Sequence, residues 1–131
     1  VKAFIDRTVA EARVHGKVTT LSGRIRPIPF LASPNPAQRA AAERIAVNTV
    51  IQGSAADLIK LAMIRVSEAL EESGSGARIL LQIHDELVLN VPKRDLEGVR
   101  ETVVACMTGA MRLSVPLTVN TASGETWREA A

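Results

Sequence analysis

The stretch Arg78-Ile79-Leu80-Leu81-Gln82-Ile83-His84-Asp85-Glu86-Leu87-Val88-Leu89-Asn90-Val91 decides the fold. It holds two short apolar runs, Arg78 to Ile83 and Leu87 to Val91, rich in Ile, Leu and Val. Three ionisable residues, His84, Asp85 and Glu86, separate them. Short β-rich runs around a polar interruption predict an antiparallel hairpin, and Pro92 stops the second run. Charged groups rarely sit between apolar strands unless the turn is exposed or the charges have partners. A carboxylate on a tight turn of a rigid sheet can hold a hard cation. Mg²⁺ takes oxygen ligands, commonly one or two carboxylates plus substrate phosphates. The plainer alternative is a solvated polar turn, with His84 bonded to a backbone carbonyl.

Upstream of this hairpin, Ala37 to about Ser73 is rich in Ala, Leu, Glu, Arg and Lys and predicts helix. Ile59, Met63, Val66 and Leu70 form one apolar stripe, widened by Ala55 and Ala62. Gly53 lies in the middle, so a break or kink is expected near Gln52-Gly53. Ahead of this helix, residues 2 to about 14 predict another, with Phe4, Ile5, Val9 and Ala12 at helical spacing and Gly16 as its stop. Lys17 to Leu21 favours a strand, Ser22-Gly23 a turn, and Arg24 to Leu31, with Pro27 and Pro29, an edge strand or extended loop. Downstream, Gly74-Ser75-Gly76 forms a turn. Asp95 is positioned to cap a helix lined by Leu96, Val99, Val103, Met107 and Ala110, and Leu117 to Val119 reads as a last strand. The fold class is therefore α+β: a small antiparallel sheet with long helices packed on one face.

The long helix carries a second feature. Arg44, Asn48 and Gln52 recur at every fourth position, within an arc of about 80°. Arg suits phosphate oxygens, while Asn and Gln can bond sugar oxygens or base edges. Minor-groove acceptors are common to all correct pairs, so donors there test pair shape without reading sequence. Ala40, Ala41, Ala42, Ala46, Ala55 and Ala56 are small enough to let a bulky partner approach. The alternative is a solvated polar stripe.

Composition sets the bounds. With 131 residues, 47% apolar and 23% charged, the chain suits one soluble domain with a modest core. Phe4, Phe30 and Trp127 are the only aromatic residues, too few for a stacking platform for single strands. Cys106 is the one cysteine, which excludes an intrachain disulfide and a cysteine-based zinc site and fits a reducing cytoplasm. No membrane span or signal peptide is evident. Net charge is only +2, but between Ala12 and Ala42 the charged residues are Arg13, Lys17, Arg24, Arg26 and Arg39, with no acid. That basic front suggests a surface facing a polyanion, although on charge alone a solvated basic loop is the stronger reading. The opening Val1-Lys2-Ala3-Phe4, without Met, suggests a piece of a longer protein.

Together these segments resemble the C-terminal part of family-A DNA polymerases, the bacterial DNA polymerase I type. The matching text is Thr20-Leu21-Ser22-Gly23-Arg24, then Ala42-Glu43-Arg44-Ile45-Ala46-Val47-Asn48. Ile51-Gln52-Gly53-Ser54-Ala55-Ala56-Asp57 and Lys60-Leu61-Ala62-Met63 follow. Gln82 to Val88 matches the family's third motif with Ile83 in a Val position, and Val115-Pro116-Leu117 and Gly124-Glu125-Thr126-Trp127 match its ending. The resemblance covers nearly the whole chain in order.

The resemblance implies that residues 1–131 form the C-terminal part of a polymerase domain, 1–35 following the fingers and 36–131 belonging to the palm. Asp85 would be a ligand of a Mg²⁺ pair, Glu86 would support that site, and His84 would lie against the primer terminus. Arg44, Asn48 and Gln52 would contact primer–template DNA near the new base pair, with Arg39 on phosphate and Arg24 and Arg26 on the backbone. The reaction would be nucleotidyl transfer from dNTP to a primer 3′-hydroxyl in DNA replication or repair, by a monomeric cytoplasmic enzyme. Two metals would activate that hydroxyl and stabilise the leaving pyrophosphate.

Departures qualify this. The family's other Asp-containing strand motif and its fingers helix are not within these residues, so the chain alone is expected to be inert. Lys17 stands where the family often has Tyr, and Ile25 replaces one of a frequent Arg cluster. Three rivals remain. A His-Asp metal phosphohydrolase needs more His and Asp ligands than His15 and His84 with Asp85 supply. A non-catalytic nucleic-acid-binding module would use only the basic front. A third, structural reading is an orphan remnant without a function.

Overall fold

The computed structural model describes residues 1–130. The chain forms two compact units, Val1–Asp57 and Leu58–Ala131, and the long helix α2 (Pro36–Ser73) contributes to both.

The first unit opens with helix α1 (Lys2–His15). It stops where Gly16 turns left-handed at φ 66° and its N–H bonds the Ala12 carbonyl at 2.8 Å, the expected glycine stop. Strands β1 (Lys17–Thr19) and β2 (Ile25–Pro27) follow as an antiparallel pair, Val18 opposite Arg26. Pro27 sits on this two-stranded ribbon because an edge has no ladder bond to lose. Helix α2 then begins at Pro36. The Asn35 side chain accepts the Ala37 N–H at 2.9 Å and the Gln38 N–H at 3.4 Å, an N-cap followed by a proline in the first helical position. The core of this unit is Ala12, Val18, Ile28, Leu31, Ala42 and Ala46, with Val50 packed against it. Ala42 and Ala46 are thus small in order to fit α2 against its own unit. That corrects the expectation that they clear space for an outside partner.

α2 runs unbroken through Gly53, so the expected division into two helices does not occur. The glycine has a packing reason instead. A Cβ at residue 53 would lie 2.9 Å from Thr20 Cγ2 and 3.4 Å from Arg24 Nη2. The β1–β2 tip rests directly on the helix backbone there.

In the second unit, β3 (Arg78–Ile83) pairs antiparallel with β4 (Glu86–Asn90). Glu86 already lies in β4, opposite Ile83, so the turn is the dipeptide His84-Asp85 rather than three residues. A register shift between Ile79 and Leu81 bulges the strand at Leu80. Leu87, Leu89 and Val91 alternate onto one face. With Ile79 they pack against Val66 and Leu70 of α2 and against Val99 and Val103 of helix α3 (Leu96–Thr108).

The fold is α+β, as the sequence predicts, but with two separate two-stranded sheets rather than one. Three details differ. Asp95 sits at the N-cap of α3 without a side-chain cap bond; its carboxylate meets Arg94 Nε at 3.3 Å, and a 3₁₀ turn, Lys93–Asp95, leads into the helix. Leu117 to Val119 is not a strand, because no strand among the described residues pairs with it. A short helix, α4 (Trp127–Ala130), ends the described chain. No helix among the described residues is long and apolar enough to cross a membrane.

Candidate nucleic-acid and metal-binding site

Each unit carries one group of site residues. In the second unit the β3–β4 turn holds His84, Asp85 and Glu86, all exposed. His84 adopts a left-handed backbone with φ 53°. Such a conformation is uncommon outside glycine, though His is among the residues enriched there, and it is found where function fixes geometry. The Gln82 side-chain amide donates to the His84 carbonyl and ties the turn to β3. Among the described residues, neither Asp85 nor Glu86 is ion-paired with a cationic side chain. Exposed carboxylates on one turn offer the oxygen ligands that a hard divalent cation takes. Among the described residues no three His, Cys, Asp or Glu side chains cluster closely enough to hold a metal by themselves.

In the first unit, Arg44, Asn48 and Gln52 are all exposed along α2, as their spacing predicts. The neighbouring arginines are partly engaged. Arg39 Nη1 donates to the Ser33 carbonyl at 2.9 Å, Arg26 Nη1 to Thr49 Oγ1 at 3.0 Å, and Arg24 Nε to Asp57 Oδ1 at 2.8 Å. Glu43, beside Arg44, pairs with Arg13 of α1, with Arg13 Nε 3.0 Å from Oε1. That ion pair is exposed and contributes little to stability, about 0–1 kcal/mol.

Asp57 is the residue that sequence reasoning missed. It is buried, and three side chains of the β1–β2 tip converge on its carboxylate. Thr20 Oγ1 donates to Oδ2 at 2.6 Å, Ser22 Oγ donates to the same oxygen, and Arg24 Nε donates to Oδ1. The Ser22 and Thr20 hydroxyls and the Arg24 guanidinium hold its carboxyl down at about 2, against the opposing effect of burial. The Leu21 N–H also bonds Ser54 Oγ at 2.9 Å. The only sequence signal was a carboxylate on the tip-facing side of α2, one turn beyond Gly53; nothing local announced its partners 33 to 37 positions away.

Comparison with known proteins shows the family to which the chain belongs. The model of DNA polymerase family A matches residues 1–129. The DNA polymerase I of Bacillus subtilis is 49% identical over 130 residues, covering 99% of this chain and 15% of that protein. The thermostable DNA polymerase I of Thermus aquaticus is 48% identical, again covering 99% and 15%. Among solved structures, the POL domain of Pol1 from M. smegmatis, in complex with DNA primer-template and dNTP, superposes with a TM-score of 0.95 at 43% identity. The match covers 98% of this chain and 23% of that one. A polymerase-type α+β fold is thus matched along almost the entire chain. The chain belongs to DNA polymerase family A, whose members are metal-dependent. It spans about 15% of the length of the curated relatives that it matches.

Proposed function

We propose that this chain works as the C-terminal part of a DNA-directed DNA polymerase, with residues 1–35 following the fingers and 36–131 belonging to the palm. Its substrates are primer–template DNA and dNTP, and the reaction is nucleotidyl transfer to a primer 3′-hydroxyl, carried out by a monomeric enzyme in the cytoplasm. The observation that carries this reading is the exposed, unpaired Asp85 on the strained two-residue turn of an otherwise apolar hairpin. The 0.95 superposition on a polymerase domain solved with primer-template and dNTP supports it.

Asp85 would hold Mg²⁺, with Glu86 supporting the site and the remaining carboxylate supplied by residues outside this chain. The metal supplies electrostatic stabilisation of the charge that develops during phosphoryl transfer. The chain's own part is positioning. The rigid hairpin fixes the Asp85 carboxylate, and His84 lies against the primer terminus. Arg44, Asn48 and Gln52 bind the duplex near the new pair, and Arg39, Arg24 and Arg26 meet its backbone. Ile64, Leu80 and Leu81, between 49% and 54% exposed, line one open apolar groove suited to the remainder of the same polypeptide.

The test is Asp85→Ala in the full-length polymerase. Primer extension should fall by on the order of 10³-fold or more, the several kcal/mol a metal ligand supplies to the transition state. Primer–template affinity should change little. Unchanged extension would sink the reading and favour a non-catalytic nucleic-acid-binding module.

A further inference from the structure

Among the described residues, Asp57 is the one charged side chain that is buried. Removing a carboxylate from water is expensive, and an apolar contact could fasten a hairpin to a helix without that expense. What the carboxylate does that a methyl group could not is orient a guanidinium. Arg24 is bound twice: Nε to Asp57 Oδ1 at 2.8 Å, and Nη2 to the Gly53 carbonyl at 3.2 Å. Its side chain is still 49% exposed, and among the described residues Nη1 has no hydrogen-bond partner. The group is held at one edge and open at the other. Nη2 anchors the guanidinium at Gly53, the residue that follows Gln52 on α2. One helical turn earlier, Arg26 Nη1 donates a single bond to Thr49 Oγ1 at 3.0 Å.

Resting on the polymerase reading, we propose that Asp57 is a positioning residue for nucleic-acid binding. It acts through Arg24, keeping the guanidinium oriented as a phosphate ligand beside the Arg44–Asn48–Gln52 stripe. A free arginine loses rotamer freedom when it binds a phosphate, whereas one already held loses little. Thr20 and Ser22 serve the same end by fixing Oδ2, which leaves Oδ1 to Arg24.

The sign of one substitution separates this role from simpler ones. Asp57→Asn removes a negative charge beside Arg24. If charge were all that mattered, DNA would bind more tightly. If Asp57 only stabilised the fold, the melting temperature would fall with no change in how the folded protein binds. Positioning requires weaker binding with one fewer phosphate contact.

The experiment measures primer–template affinity of the full-length polymerase across a salt series. Arg24→Ala should lower the slope of log affinity against log salt by about 0.9, the value for one phosphate. Asp57→Asn should lower it by a similar amount, and the double variant should lose no more than either alone. Tighter binding or an unchanged slope in Asp57→Asn, or an unchanged slope in Arg24→Ala, would overturn the inference. Should Asp57→Asn not fold, Ser22→Ala, which keeps the charge, should shift the slope less but in the same direction; binding identical to wild type would count against it. Primer extension by the wild-type protein is measured alongside. Its absence would sink the polymerase reading, while the salt slopes would still judge the Asp57–Arg24 pair.

Discussion

The Cγ2 methyl of Thr20 lies 2.9 Å from the place a Cβ on residue 53 would occupy, so Thr20 and Gly53 set how closely the β1–β2 tip approaches α2. Thr20 cannot turn its methyl aside freely, because its hydroxyl is bonded to Asp57 at 2.6 Å. In an open helix, Gly→Ala would stabilise by about 1 kcal/mol. Here Gly53→Ala should instead give a net loss, since overpacking costs about 1–3 kcal/mol. Thr20→Ser removes the methyl and keeps the hydroxyl. In that background Gly53→Ala should become neutral or stabilising, which thermal denaturation of the four proteins would reveal. A stabilising Gly53→Ala in the wild-type background would refute the contact.

The carboxyl of Asp57 titrates near 2 in the folded protein, below its ordinary 3.8. A depressed carboxylate contributes stability that is fully present above the unfolded value and is lost as pH falls through the folded one. The stability difference between wild type and Asp57→Asn should therefore be constant above about pH 4 and shrink between about pH 4 and 2. Acid titrations of both proteins, followed by circular dichroism, would measure it. A difference that stays constant down to pH 2 would show that the ionised carboxylate is not what holds the tip.

His84 sits at φ 53° and is exposed. Glycine tolerates that backbone, so His84→Gly should leave the hairpin folded and change stability by about 1 kcal/mol or less. If the imidazole lies against the primer terminus, extension by the full-length enzyme should nonetheless slow. Extension at the wild-type rate would remove His84 from the site.

In the polymerase reading proposed above, Asp85 would act with metal ligands and nucleotide contacts that these residues do not include. The isolated chain is therefore expected to give no primer extension at any Mg²⁺ concentration. Robust synthesis by the chain alone would require a different active site from the one proposed.

Leu70 of α2 is buried at 3% exposure among Val66, Val99 and Val103. Leu70→Ala should destabilise the second unit by about 2–5 kcal/mol through lost burial and the cavity left behind. Hydrogen exchange should show faster opening of β3–β4 and α3. Exchange unchanged in those elements would mean that this cluster does not hold the unit.

Much was determined by the sequence alone, and for a common reason. α1 with its Gly16 stop, the two hairpins, the Asn35-Pro36 start of α2 and the exposed Arg44–Asn48–Gln52 stripe depend on periodicity and turn chemistry within a few residues. The acidic turn was equally legible, because charge between apolar strands is a local anomaly. Only the tertiary structure decided what distant segments settle between them. Gly53 read as a helix breaker until the β1–β2 tip came to rest on it. Leu117 to Val119 had strand character but no strand beside it. Asp95 had the chemistry of a cap, yet its side chain went to Arg94. Asp57 gained its meaning from Thr20, Ser22 and Arg24, more than 30 residues earlier. Propensity acts along the chain, whereas close packing and the need to satisfy a buried charge act across it.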